Sequence, residues 1–205
     1  MKRLLPFFAF VLLGAQFAGF TVQPKGNQDF NPLTGVTTLP QGGTLIDATD
    51  HLILQAPYIS YKQGSFFEAQ QATMKGPKAL FQAAFMKYQV ASQELRMRDL
   101  VYSSKDFPSI QAQEGLAFLK QGYVVLKGKI ISKKPSIQAE SAVIDTNHHH
   151  VLLIGPFIYR QGAEVARGNR ANSLLLITFE GGKFLLTSQV PPALLHQMEA
   201  YSQQL

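Results

Sequence analysis

Three consecutive histidines, His148-His149-His150, are by residue type the best candidates in this sequence for holding a metal ion. Neighbouring residues of a strand point to opposite faces, so three in a row cannot all reach one ion. They also directly follow an aspartate, a threonine and an asparagine, which together signal a turn. The sequence therefore predicts a turn here and no metal site. The other two histidines, His51 and His196, have no identifiable partner along the chain.

Motifs of the common enzyme classes are absent from the sequence. It contains no HExxH, GxSxG, GxGxxG or Walker pattern. The 13 acidic residues are scattered, without a local pair suited to general acid and base catalysis. With no cysteine, the chain has no disulfide framework, no thiolate metal site and no cysteine nucleophile. We therefore expect no enzyme, no catalytic residue and no cofactor.

A short phrase recurs along the chain, as Phe81-Gln82-Ala83, Ile110-Gln111-Ala112 and Ile137-Gln138-Ala139, with looser copies starting at Leu54 and Phe67. A large apolar residue, a polar one and then alanine is the period-2 pattern of a strand with one dry face. Including apolar runs near positions 95, 124 and 151, the anchors follow one another in steps of 13 to 15 residues. That steady period predicts a stacked strand-plus-turn unit.

The predicted fold class is all-β, an antiparallel β-jelly roll or slit solenoid of about 13 to 16 strands with a short C-terminal helix. The repeats place the β domain at residues 44–190, and turn-forming residues at 21–43 predict a linker. The runs 151–154 and 174–177 lose the alternation, as strands buried on both faces do. A helix over residues 191–205 is predicted to cover an open sheet edge. Its apolar stripe would be Leu194, Leu195, Met198 and Tyr201.

The first 20 residues have the layout of an export signal, because Lys2 and Arg3 precede an apolar stretch over residues 4–14. An uncleaved anchor over residues 4–22 is the alternative, since 19 mostly apolar residues can just span a bilayer of about 30 Å hydrocarbon thickness. Either reading exports the bulk of the chain.

The whole chain has a formal net charge of +6, and many of its basic residues are concentrated in one part of it. Residues 120–134 contain five lysines and no Asp or Glu. They could form a solvated hairpin protected from edge pairing, or a patch that meets an anionic headgroup. Nucleic acid is not an expected partner, because the chain is exported and lacks an arginine-rich motif. The lysines are Lys120, Lys127, Lys129, Lys133 and Lys134.

The repeat unit resembles the OstA-like family of lipopolysaccharide-transport proteins, most clearly over residues 137–155 and 110–128, and the resemblance extends over about 44–190. It implies an open, twisted β-jelly roll whose groove carries lipid A acyl chains across the periplasm. It also implies either a soluble bridge with a cleaved signal or a sibling anchored in the inner membrane by one N-terminal helix.

The implied function is a periplasmic bridge that carries lipopolysaccharide or a related glycolipid towards the outer membrane. Its partners would be the glycolipid, other envelope transport proteins that pair through sheet edges, and other copies of itself. The alternative is a structural cell-envelope β-solenoid without lipid cargo.

Lys127 and Lys129 are the predicted headgroup contacts. A β-bulge near Glu114-Gly115 would reverse which face of the sheet the following residues point to. The predicted groove residues are Leu54, Phe67, Phe81, Phe85, Leu95, Ile110, Leu126, Ile137 and Leu153.

Overall fold

One antiparallel sheet of 17 strands, followed by a helix, makes up the part of the chain that the computed structural model describes, residues 15–17 and 19–205. The all-β prediction is confirmed. The strands outnumber the expected 13 to 16 because residues 15–39 supply four of them. The elements are β1 (Ala15–Phe17), β2 (Phe20–Pro24), β3 (Asp29–Asn31), β4 (Val36–Leu39), β5 (Gly43–Asp47), β6 (Leu52–Ala56), β7 (Tyr58–Lys62), β8 (Phe66–Lys75), β9 (Ala79–Gln89), β10 (Glu94–Ser104), β11 (Ile110–Phe118), β12 (Tyr123–Lys133), β13 (Ser136–Asp145), β14 (His150–Gln161), β15 (Glu164–Gly168), β16 (Leu174–Glu180), β17 (Lys183–Thr187) and α1 (Pro192–Ser202).

The segment 21–43 is not a linker, contrary to the sequence prediction. It contributes to the sheet, with β2 paired to β5 and β4 paired to β7. Phe20, Val22 and Leu39 are each at most 2% exposed. The glycines and prolines that suggested a linker fall in and beside the turns between these short strands.

The predicted export segment lies mostly outside the described residues, which omit 1–14 and 18. The proposed anchor over 4–22 overlaps β2, where Phe20 and Val22 pack in the core. No helix within the described residues has the length and apolarity needed to cross a membrane.

Each long strand from β8 to β14 bends near its middle, and the bends line up across the sheet as a corner. Residues at the corner are skipped in the pairing, as Gln71 and Asp99 are, or sit in register shifts. Several have the left-handed backbone that a bulge requires, including Gly128 at φ 73° and Gly155 at φ 88°. The corner comprises Gln71, Ala84, Asp99, Gln113, Gly128, Lys129, Glu140, Gly155 and Pro156.

The corner divides the sheet into two leaves. In β8, residues 66–70 pair with β7, whereas residues 73–75 pair with β6. In β14, residues 150–154 pair with β16, whereas residues 157–161 pair with β15. Leaf 1 therefore contains β2, β5, β6 and β15, and leaf 2 contains β3, β4, β7, β16 and β17. The long strands contribute one half to each leaf, and the mouth is the gap between the two rows of turns opposite the corner.

The main core fills the space between the two leaves. Its members come from the inner faces of both, as with Leu54 of leaf 1 and Phe67 of leaf 2, each 0% exposed. The recurring alanines lie one residue before the corner: Ala83, Ala112 and Ala139 are all buried. Because the leaves converge there, a small side chain is what the space admits.

Helix α1 lies on the outer face of leaf 2, against β12 and β13, and not on a sheet edge as predicted. It covers a second apolar cluster, in which Met198 is 0% exposed and the Tyr201 ring stacks on that of Tyr123 at 4.1 Å. This explains the runs without alternation. In β14, Val151 and Leu153 face the main core while Leu152 faces the helix cluster.

Replacing Met198 with alanine should lower the free energy of unfolding by about 2–5 kcal/mol, because it leaves a cavity between α1 and leaf 2. Urea denaturation measures the change. His196→Ala, at an exposed position of the same helix, is the control and should stay within about 0.5 kcal/mol of the parent. Equal effects of the two substitutions would contradict the packing of α1 described here.

Candidate functional site

The predicted groove residues lie in the interior, where they pack against one another. Eight of the nine are at most 5% exposed and belong to the main core that joins both leaves. The space between the leaves is therefore filled by side chains along most of its length in the described part of the chain. Those eight are Leu54, Phe67, Phe81, Leu95, Ile110, Leu126, Ile137 and Leu153.

Phe85 is the exception, and the expectation that it shares a face with Phe81 is wrong. The corner at Ala84 reverses the alternation, so that Met86 is buried and Phe85 is only half-buried. The Phe85 ring instead lies beneath the guanidinium of Arg98, whose Cζ is 4.7 Å from the ring centroid. This is a cation–π contact on the outside of the sheet.

The equivalent reversal in β11 falls where the sequence suggested a bulge. The register shift lies between Gln111 and Glu114, immediately before Gly115.

Polar contacts join the two leaves across the mouth. Lys78 Nζ, in the turn between β8 and β9 of leaf 1, donates to Asn147 Oδ1 of leaf 2 at 2.8 Å. In the next turn of leaf 1, Asp106 Oδ2 lies 2.6 Å from Nδ1 of His149, which belongs to leaf 2. The Lys78 contact is exposed, whereas the Asp106 side chain is 8% exposed.

An aromatic contact closes the mouth further along. The ring of Phe107, from the same leaf 1 turn as Asp106, lies 5.4 Å from that of Phe184 in β17. Phe107 is buried and Phe184 packs against the main core. The leaves are thus joined at the corner by covalent continuity, between their inner faces by the main core, and at the mouth by a few side chains.

A cavity of about 410 Å³ opens at the mouth beneath the Lys78–Asn147 contact. Leu52 and Phe81 line it from leaf 1, and Val124 lines it from leaf 2. Lys78 and Lys120 contribute to its rim from opposite leaves. Its volume lies in the range of small-molecule sites, roughly 300–1,000 Å³. An apolar floor with a cationic rim suits an amphipathic ligand.

A second cavity, of about 570 Å³, lies at the other end of the fold between β14–β15 and β16–β17. Phe157 and Leu186 line it, together with the charged Arg167. It is more open to solvent than the mouth cavity. Its position beside the two edge strands places it where a further strand would add.

Asp145 organises the turn that carries Asn147 to the mouth. Its Oδ1 accepts the main-chain N–H of Asn147 at 2.9 Å and of His148 at 3.1 Å. Its Oδ2 lies 2.8 Å from His148 Nδ1 and accepts the Tyr123 hydroxyl at 3.0 Å. Burial raises the pKa of Asp145, but these hydrogen bonds outweigh it and the pKa lies below the ordinary value.

The Asp145 carboxylate also acts on Tyr123. Burial, the hydrogen bond to Asp145 and its negative charge raise the pKa of Tyr123 to about 12. The phenol therefore stays protonated and keeps donating to Asp145 under ordinary conditions.

The three histidines lie in this turn and at the start of β14, as the sequence predicted. His148 and His149 are each engaged by a carboxylate, Asp145 and Asp106 respectively. Burial lowers the pKa of His150, whose ring stacks on that of His148. Within the described residues no group of three His, Cys, Asp or Glu side chains could hold a metal ion. These two carboxylate contacts stabilise the turns that carry them.

The lysines predicted to contact a headgroup do not line the mouth cavity. Lys127 Nζ donates to the main-chain oxygen of Leu205, beside the helix. Lys129 is exposed at the corner with φ 45°. The mouth lysines are Lys78, which sequence reasoning missed, and Lys120, which it had noted only as part of a patch. Both lysines lie in turns between long strands, and these turns meet at the mouth once the sheet is bent. The positions of the turns are the sequence signal that could have identified them.

Comparison with known proteins gives a loose structural similarity. No family model matches the sequence, and no curated protein is significantly similar to it. Among solved structures the chain is similar to LptH, the LptA-homologous periplasmic component of the lipopolysaccharide transport device from Pseudomonas aeruginosa. The identity is 15%, over 84% of this chain and 95% of that chain, with a TM-score of 0.28. Because the superposition is loose, the fold is assigned from the strand pairing alone and not from this similarity.

Substitution Asp145→Asn should destabilise the protein at pH 7 by about 1–3 kcal/mol, because a buried hydrogen-bonded carboxylate is lost. Since the folded pKa of Asp145 is lowered, its stabilisation is present above the unfolded value, about 3.9, and is lost as the pH falls towards the folded value. The parent should therefore lose more stability between pH 7 and pH 3 than the variant does. Urea midpoints at both pH values measure this.

Asp99→Asn, at an exposed corner position, is the control and should follow the parent's pH dependence. A parallel pH dependence of Asp145→Asn and the parent would show that Asp145 does not stabilise the fold in this way.

Proposed function

We propose that this protein carries lipopolysaccharide or a related amphipathic glycolipid through the periplasm, with acyl chains taken up between its two leaves. The observation that carries the proposal is the mouth cavity, where an apolar floor formed by both leaves opens beneath a lysine rim. The sequence resemblance to the OstA-like family supports the same class of cargo.

Uptake of acyl chains requires the leaves to separate at the mouth while the corner stays intact. The contacts across the mouth are few, and an exposed hydrogen bond such as Lys78–Asn147 contributes only about 0.5–1.5 kcal/mol. Each buried methylene stabilises a bound lipid by about 0.8 kcal/mol. An acyl chain between the leaves must therefore offset both the loss of these mouth contacts and the main-core packing that separation disrupts.

Transfer to other envelope proteins, or to further copies of this chain, would use the sheet edges. Leaf 1 ends in β15 and leaf 2 in β17, and each pairs with one neighbouring strand in the described part. Val165 and Leu185 on these strands are each more than half exposed. Such edges are templates for strand addition. Strand addition at these edges would allow several proteins to form a bridge between the inner and outer membranes.

A structural envelope protein is the second candidate, and the filled main core favours it. Eight predicted groove residues already pack against one another with at most 5% exposure. In that case the leaves never separate and the protein holds no lipid.

Photo-crosslinking distinguishes the two candidates. A photoreactive residue at Phe81, which lines the mouth cavity, should capture lipid in cells with active envelope export. The same residue at Gln82, exposed on the opposite face of β9, is the matched control and should not. Native mass spectrometry of protein purified from its own envelope should show acyl-chain adducts.

Equal labelling at both positions, or labelling at neither together with a single clean mass, would reject lipid carriage and leave the structural role.

A further inference from the structure

The rim of the mouth cavity brings together two lysines that are distant in sequence. Lys78 belongs to the turn between β8 and β9 in leaf 1, and Lys120 to the turn between β11 and β12 in leaf 2. Asp50 is the one carboxylate among the described residues that line the cavity. The lining therefore carries a net positive charge at the point where both leaves end.

The ammonium group of Lys78 is available to a ligand. Its hydrogen-bond partner is the neutral amide oxygen of Asn147, 2.8 Å away on the exposed surface. An ammonium has three donors, so this contact leaves two unused. Neither lysine forms an ion pair with a carboxylate among the described residues. An anion that replaced the Asn147 amide would gain a charge-assisted hydrogen bond.

Below the rim the lining is mostly apolar, with Tyr88 and Tyr123 also part of it. Ala79 and Ala117 line the cavity between the larger Leu52, Phe81 and Val124. The three larger side chains are at most 9% exposed, so the walls are fixed by the main core. An apolar recess directly beneath two cations matches a molecule with an alkyl chain and an anionic head.

We propose that the mouth cavity binds one alkyl chain of an anionic amphiphile and that Lys78 and Lys120 together hold its phosphate headgroup. This deepens the proposed function, on which it rests, by naming a headgroup site other than the predicted Lys127 and Lys129. Asn147 is then the group that the phosphate replaces at Lys78, so binding the head releases one of the contacts across the mouth.

The test compares two probes that share a chain and differ in head, dodecyl phosphate and dodecyl maltoside, below their micelle concentrations. Calorimetry on the full chain gives both affinities. Lys78→Ala/Lys120→Ala should weaken dodecyl phosphate binding by about tenfold, because two charge-assisted hydrogen bonds at an exposed and solvent-screened rim are lost. Dodecyl maltoside should bind the variant and the parent alike.

Lys105→Ala is the matched control. Lys105 is exposed in another turn of the same leaf 1 row and does not line the cavity. An equal loss with Lys105→Ala, or unchanged dodecyl phosphate binding by the double variant, would overturn the headgroup assignment.

Two further variants keep the proposal testable if the double variant fails to fold. Asp50→Asn removes the carboxylate of the lining. It should raise the affinity for dodecyl phosphate several-fold and leave the affinity for dodecyl maltoside unchanged. Ala79→Trp fills the recess and should abolish binding of both probes, whereas Ala84→Trp, at an exposed corner position of the same strand, should not. Undiminished binding by Ala79→Trp would overturn the cavity as the chain's site.

Displacement of bound dodecyl phosphate then separates this inference from the proposed function. Displacement by lipopolysaccharide assigns the site to the proposed cargo. Displacement by lysophosphatidic acid but not by lipopolysaccharide keeps the anionic-amphiphile site and rejects the cargo. Displacement by neither overturns the site as a lipid site.

Discussion

The bend shared by the seven long strands is the constraint on which the rest of the structure depends. A flat sheet of this length would expose one apolar face to water, and folding it along a line brings its two halves face to face. The bend requires bulges, and these place residues such as Gln71 and Asp99 in the left-handed region at a cost of about 1–2 kcal/mol each. Burial of the main core offsets this cost. The same bend puts all the turns opposite the corner and so creates the mouth.

The two leaves differ in what covers their outer faces. Leaf 2 is buried on both sides where the halves of β11 to β14 and β16 lie between the main core and α1, whose Met198 and Tyr201 complete a second cluster. The outer face of leaf 1 in the corresponding half-strands carries polar, exposed residues such as Gln82 and Gln111. Because this part of leaf 2 is packed on both faces, we expect any opening of the mouth there to move leaf 1 against it.

Local periodicity was sufficient to predict the repeated strands after residue 44, but not the short ones before it, whose many turn residues suggested a linker. The positions of the bends limited what could be predicted of the site. The repeated phrases placed Phe81, Ile110 and Ile137 correctly in the interior, because each lies on the near side of a bend. Phe85 lies just past one, and a single skipped residue at Ala84 turned its side chain outward.

Contacts between residues far apart in the sequence also limited what could be predicted of the site. The contact between Lys78 and Asn147 spans 69 residues, and it exists only because the corner superposes two rows of turns. Helix α1 was predicted from its apolar stripe, but its position in the fold was not. A free sheet edge and an apolar outer face can both be covered by the apolar side of such a helix, so the stripe does not distinguish them. The unalternating run at 151–154 already indicated the second possibility.

Pulsed electron paramagnetic resonance measures whether the leaves separate at the mouth to admit lipid. The chain lacks cysteine, so spin labels can be placed at Pro77→Cys in leaf 1 and Gln121→Cys in leaf 2, both exposed turn positions. Lipopolysaccharide should lengthen this distance and leave unchanged that between labels at Pro77→Cys and Lys105→Cys, both in leaf 1. Bound lipid with an unchanged distance across the mouth would contradict the account.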